Sequence, residues 1–308
     1  MTVRYQAGPN LYELDPDWPK LPEGHELKQV AGVAVDAEDR VYLYNRGNHK
    51  LSTFDRNGNY QSSWEQAAKT PHGIHIASNA ASKKDAGTSS EQHVFLADTG
   101  AHVVTKHTAE GNILLTLGTP GKPSDTGQIK DFLVEKPGQP FNLPTGVATA
   151  PNGDIFVSDG YGNCRVHKFD KNGVLQASWG IPGKSAPLEF HLPHGLAIDP
   201  QGRLLVCDME NHRIQVLDQD GNFLAMWNGF KQPCSLAIDA DGLVFVAELG
   251  HRVSVVDLDG RIVAQWGGES SREPGRFVAP HTAAVDSHGD VYIGEVLEGQ
   301  RVQKFVRK

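Results

Sequence analysis

Short runs alternating apolar with polar positions, each closed by a polar turn, recur along the chain in one fixed order. In the first copy the runs are Gly32–Asp36, Arg40–Asn45, Lys50–Asp55 and Tyr60–Trp64, a pattern that predicts four short strands. The turn between the last two returns as Arg56-Asn57-Gly58-Asn59, Lys171-Asn172-Gly173, Gln219-Asp220-Gly221-Asn222 and Leu258-Asp259-Gly260. Asn-Gly and Asp-Gly supply the positive φ that tight hairpins need. Aligned on itself, the chain gives six copies, opening at Val30-Ala31-Gly32, Pro71-His72-Gly73, Pro144-Thr145-Gly146, Pro193-His194-Gly195, Pro233-Cys234-Ser235 and Pro280-His281-Thr282. The fourth run ends in Trp64, Trp179, Trp227 or Trp266, with Leu117 in the second copy, which predicts outer-strand packing. The sixth copy stops after three strands, at Arg301–Lys308, while Tyr5–Leu14 precedes the first copy without a blade of its own. That segment is expected to supply the missing strand and close the ring, removing the exposed sheet edges of an open array. The predicted fold is all-β: one six-bladed propeller domain over residues 1–308, with blades starting near 32, 72, 145, 194, 234 and 281 and a closing strand near 5–14.

Strand direction fixes which loops meet. The start of each first strand, the end of each second strand and the blade-to-blade connections share one face, here called upper. The connections Gly118–Leu143, Gly180–Pro193 and Gly267–Pro280 are long, as lids or specificity loops are. The Ser/Ala/Lys-rich insert Ala77–Gln92 is expected on the lower face as a surface excursion.

Position two of the copies is histidine in every second copy: His72, His194 and His281. In a closed ring alternate blades lie roughly 120° apart, so three imidazoles can converge on the axis. Histidine fills 14 of 308 positions, so its recurrence at three of six equivalent ones is a signal. Three nitrogen ligands with a position left open suit Zn²⁺. The histidines after strand two, His49, His102, His212 and His251, accompany the polar turn of the repeat and read as structural. His191, three residues before His194, is a weaker competitor as ligand, and Cys234 at the ring position of copy five reads as a small buried side chain. The residues leaving strand two are Arg46, Thr99, Gly160-Tyr161, Met209, Leu249 and Val296. Arg46 offers a guanidinium fork for a carboxylate. Tyr161 offers a phenol that a neighbouring Zn²⁺ and Arg46 could acidify into a general base.

Bulk properties narrow the classes. A formal charge of −8 with no basic stripe argues against nucleic acid. No run is long enough to span a membrane, and residues Met1–Asn10 lack a secretion signal. Three cysteines, Cys164, Cys207 and Cys234, make no disulfide framework, so a cytoplasmic, reduced monomer acting on a small molecule is expected.

The motifs Asn45-Arg46-Gly47-Asn48-His49, Pro71-His72-Gly73, Ser158-Asp159-Gly160-Tyr161-Gly162-Asn163-Cys164-Arg165 and Pro193-His194-Gly195-Leu196-Ala197 resemble those of peptidyl-α-hydroxyglycine α-amidating lyase, an NHL-repeat propeller. The match runs from about Gly32 to the C-terminus. The resemblance implies cleavage of the C–N bond of an N-acyl-α-hydroxyglycine to an amide and glyoxylate. It places zinc ligands on His72, His194 and His281, the substrate arginine on Arg46 and the tyrosine base on Tyr161. Three positions depart from the family: Met209 replaces a second active-site arginine, Ala279 a methionine, and Thr282 the carboxylate ligand of a structural Ca²⁺. The family's remaining calcium contacts are carbonyls corresponding to Val33 and Ile74, so losing the carboxylate disfavours calcium in the channel.

The expected activity is therefore a zinc-dependent lyase acting on a carboxylate-bearing α-hydroxy amide or ureide, with Arg46 and Met209 meeting the substrate and Tyr161 moving the proton. Peptidyl hydroxyglycine is one candidate, and a small ureidoglycolate-like hemiaminal fits a cytoplasmic chain better. Two rivals stand beside it: a metal hydrolase acting on a lactone at the same site, and a non-catalytic NHL propeller that binds proteins.

Overall fold

A computed structural model of the chain describes residues 2–64, 68–78, 92–128 and 130–308. Six antiparallel sheets follow one another in the order of the repeats. Blade one comprises Val30–Val35, Val41–Asn45, Leu51–Phe54 and Tyr60–Trp64, within a residue or two of the predicted strands. The first strands of successive blades pack side by side around the axis, blade six against blade one included, so the ring closes. Closure uses more chain than expected. Asn10–Asp15 pairs with Val302–Arg307 as the fourth strand of blade six, and Arg4–Ala7 adds a fifth through the turn at Gly8. The loop of the insert, residues 79–91, lies outside the described residues. Among the described residues no helix is long and apolar enough to cross a membrane. The three cysteines are free and buried.

The recurrent turns work as their sequence implies. Gly221 sits at φ +85°, and a Cβ there would lie 2.2 Å from the Trp179 ring of the preceding blade. The same approach recurs between Gly111 and Trp64 and between Gly260 and Trp227. The repeated tryptophans are thus packing residues between blades, in keeping with the outer-strand packing expected of them. Trp18 takes that place against Gly58, where blade six meets blade one.

Two devices aim residues at the upper face. Each first strand carries a register shift directly after its opening residue, for instance between Pro71 and Ile74 and between Pro193 and Leu196. A bulge at that point turns position two out of the ladder and toward the axis. Each second strand ends in a buried acid or amide that binds the backbone entering the blade. Asp98 accepts from the amides of Lys69 and Thr70, Asp159 from Asn142, Asp208 from His191, and Glu295 from Val278. The one or two residues after this anchor are presented at the mouth, Arg46 directly after Asn45 and Tyr161 two positions after Asp159.

Candidate metal centre

His72, His194 and His281 are 1%, 2% and 4% exposed and form a near-equilateral triangle, with ring centroids 4.7, 4.8 and 4.7 Å apart. One ligand nitrogen from each lies within 4.8 Å of the others. The odd blades set their orientation. His72 Nδ1 lies 2.6 Å from the carbonyl of Thr145, His194 Nδ1 2.7 Å from that of Cys234, and His281 Nδ1 2.9 Å from that of Ala31. A carbonyl only accepts, so each Nδ1 carries the proton and each Nε2 presents a lone pair. The three acceptors are the position-two residues of blades three, five and one, so the full ring of six builds the centre.

The same approach explains the glycine after two of the histidines. A Cβ on Gly73 would lie 2.5 Å from the Thr145 carbonyl oxygen, and one on Gly195 2.3 Å from that of Cys234. At these two positions a side chain would collide with the carbonyl that holds the imidazole, whereas Thr282 after His281 is accommodated beside Ala31.

Burial, the neighbouring imidazoles and the Arg46 charge hold His72 and His281 well below the ordinary histidine range. Burial brings His194 down to about 4. Three buried, neutral, like-facing Nε2 atoms are a donor set suited to a divalent metal.

Tyr161 meets this ring. Its hydroxyl is 3.2 Å from Nε2 of His72 and 3.2 Å from Nε2 of His194. Burial pushes the phenol well above its ordinary range, and the Arg46 charge offsets only part of that. The acidified phenol expected from the sequence therefore needs further positive charge at the histidines. Arg46 is half-buried and fixed: Nε donates to the Pro71 carbonyl at 3.0 Å and Nη1 to Gln29 Oε1 at 2.6 Å. Among the described residues no carboxylate pairs with it, and Nη2 has no protein partner.

Met209 is buried in an apolar cluster with Leu192 and Cys234, against which Tyr161 and Leu249 pack. The Cys234 thiol lies 3.8 Å from Met209 Sδ, outside the imidazole triangle. His191 is also outside it, donating Nε2–H to the Asp131 carbonyl at 3.0 Å. The turn histidines are structural: Nδ1 of His102 and of His212 accept from the amides of Leu143 and Gln232 at the next blade. The Gly118–Leu143 connection does lie over the mouth, with the Phe132 ring 5.2 Å from that of Tyr161 and Gln128 donating to the Tyr161 carbonyl.

Below the histidines the axial channel encloses about 360 Å³. No carboxylate lines it among the described residues, and the Thr282 hydroxyl accepts the Val33 amide at 3.0 Å. These residues do not fit a calcium ion, whose oxygen-rich shell wants carboxylates.

Sequence reading missed the orienting carbonyls of Ala31, Thr145 and Cys234, although their place at position two of the odd copies was a usable signal. It also missed Gln29 and Phe132, for which the chain carries none.

The fold and centre define a six-bladed propeller with a three-imidazole, metal-competent site on its axis. The NHL repeat family model matches residues 141–169 and 190–217. Human NHL repeat-containing protein 3 is 33% identical across 99% of this chain and 86% of its own length, and the chain belongs to that NHL-repeat family. Peptidyl-alpha-hydroxyglycine alpha-amidating lyase 1 of Drosophila melanogaster is 29% identical over 97% of this chain and 60% of its own. A streptogramin B lyase structure superposes with a TM-score of 0.63 over 99% of this chain and 100% of that one at 13% identity, a likeness of fold.

Proposed function

We propose that this protein is a zinc-dependent carbon–nitrogen lyase that cleaves a carboxylate-bearing α-hydroxy amide or ureide to an amide and glyoxylate or a related aldehyde. The observation that carries the reading is the Tyr161 hydroxyl, 3.2 Å from Nε2 of both His72 and His194. A phenol there is placed to exchange a proton with whatever group meets the ring. The similarity to a Drosophila amidating lyase supports the same chemistry.

His72, His194 and His281 would hold the zinc, since three imidazole donors with an open position are a common catalytic zinc set. Bound there, the ion supplies the positive charge that favours loss of a proton from a substrate hydroxyl. The chain's own residues do the rest. The Arg46 fork, fixed by Pro71 and Gln29 through Nε and Nη1, takes the substrate carboxylate through Nη2. Met209 presents an apolar wall where a second charge would otherwise bind. Tyr161, as phenolate, takes the hydroxyl proton. The carbon–oxygen bond becomes a carbonyl as the carbon–nitrogen bond breaks, and the proton passes to the departing nitrogen. N-acyl-α-hydroxyglycine thus yields an amide and glyoxylate with no water consumed.

The test is incubation of zinc-loaded protein with a panel of α-hydroxyglycine derivatives in ¹⁸O-water, following early glyoxylate release. Release before aldehyde exchange, with no solvent oxygen in the amide, supports the lyase. Product carrying solvent oxygen in its acyl group identifies a hydrolase instead, and absence of product across the panel overturns the reading.

A further inference from the structure

We infer that an apolar cavity whose wall includes Phe132 and Leu192, both neighbours of Tyr161, is a subsite for a branched aliphatic acyl group on the substrate nitrogen, an inference that rests on the lyase reading above. The cavity measures about 40 Å³ and lies between the two long connections entering blades three and four. Phe132, Leu133 and Val134 line it from the first connection, and Pro182, Phe190 and Leu192 from the second.

Its polar neighbours are already engaged. Asn163 Oδ1 accepts the amides of Gly138 and Cys164, and its Nδ2 donates to the Gly138 carbonyl and to Asp159. His191 is held by the Asp131 carbonyl, and Lys184 is exposed at the rim. A water molecule needs about 10–15 Å³ and two to four polar partners, so this space has the volume for a few waters without the partners to hold them. An isopropyl-sized group fits it better.

Two of the lining residues also pack against the reacting phenol. The Phe132 ring is 5.2 Å from that of Tyr161, and Leu192 belongs to the buried cluster on which Tyr161 packs. The lining is also held in place. Asp131 and Phe132 stand at φ +61° and +59°, a left-handed pair without glycine, kept there by the Asp131–His191 bond and the contact with Tyr161. A chain leaving the substrate nitrogen enters carbon surroundings, where a ureide's second amino group would lose its hydrogen bonds.

The subsite is read in two ways. Wild-type and Leu133→Trp proteins are given N-acetyl-α-hydroxyglycine, N-isobutyryl-α-hydroxyglycine and ureidoglycolate for turnover. N-acetylglycine and N-isobutyrylglycine, which lack the hydroxyl and cannot react, are titrated by calorimetry. Wild type should favour isobutyryl over acetyl by about tenfold or more in both kcat/KM and Kd, the ordinary worth of added methylenes in an apolar pocket. Ureidoglycolate should be the poorest substrate. Leu133 is 38% exposed, so tryptophan there is tolerated by the fold while narrowing the cavity, and it should reverse the preference. Equal affinity for the two acylglycines in wild type, or an unchanged ratio in Leu133→Trp, overturns the subsite. A clear binding preference with no glyoxylate from any compound would instead overturn the lyase reading and leave the subsite standing.

Discussion

Zinc should stabilise this propeller measurably, and only through the three histidines. The donors are already neutral, correctly tautomeric and held by the carbonyls of Thr145, Cys234 and Ala31, so binding requires little reorganisation. A ligand that binds only the folded chain adds about 4.1 kcal/mol at a free concentration one thousand times its Kd. With about 2.1 cal/mol/K per residue, unfolding 308 residues carries an entropy of about 0.65 kcal/mol/K. The midpoint should therefore rise by about 6 °C on adding zinc to chelator-stripped protein. The assay is differential scanning calorimetry of the stripped protein with and without zinc, repeated for His281→Ala. That variant loses one donor and a buried hydrogen bond, so its metal-free midpoint falls as well. The informative quantity is its zinc-induced shift, which should shrink to about 1 °C or less as the affinity collapses. A stripped wild-type protein whose midpoint ignores zinc would refute the argument, as would a variant that keeps the full shift.

Four further outcomes follow from the same geometry. Tyr161→Phe should lower kcat by about 10²-fold or more while zinc content, read by elemental analysis, stays at one per chain; near-full activity would remove the phenol from the chemistry. Arg46→Met should raise KM for a carboxylate substrate far more than for its methyl ester, and equal losses on both would show that the guanidinium does not meet the carboxylate. Gly195→Ala sets a Cβ 2.3 Å from the carbonyl that holds His194 and should weaken zinc binding by about 10- to 100-fold in a chelator competition; unchanged affinity would mean that the close approach does not matter. Burial lowers His75 to about 4, so the unfolded chain takes up its proton first as pH falls. Its stabilising effect is therefore full above about 6.5 and lost between there and about 4, with a slope of at most about 1.4 kcal/mol per pH unit. His75→Gln should flatten that limb of a pH series of urea unfolding curves, and an identical limb would refute it.

The chain displays some of this plainly and hides the rest, for physical reasons. Strands and turns show because period-two alternation and Asn-Gly or Asp-Gly turns are local. Alternate histidines show because blade number converts spacing along the chain into angle around an axis. The closing segment was visible as a strand but not as a hairpin, since nothing local in Arg4–Ala7 says that blade six carries a fifth strand. A more acidic Tyr161 was expected from its neighbours, yet in the metal-free chain burial outweighs the Arg46 charge and makes the phenol less acidic. What a single-copy reading hides most is cooperation between copies. The imidazole of one blade is oriented by the backbone of the next, and beside His72 and His194 a glycine admits that backbone. Position two therefore carries a single constraint throughout the ring: even blades supply a nitrogen, odd blades a carbonyl. Threonine, cysteine and alanine can all stand at 145, 234 and 31 because each orients its imidazole through a backbone oxygen. A propeller with an odd number of blades could not sustain this alternation around its whole ring, so blade count itself is part of the metal centre.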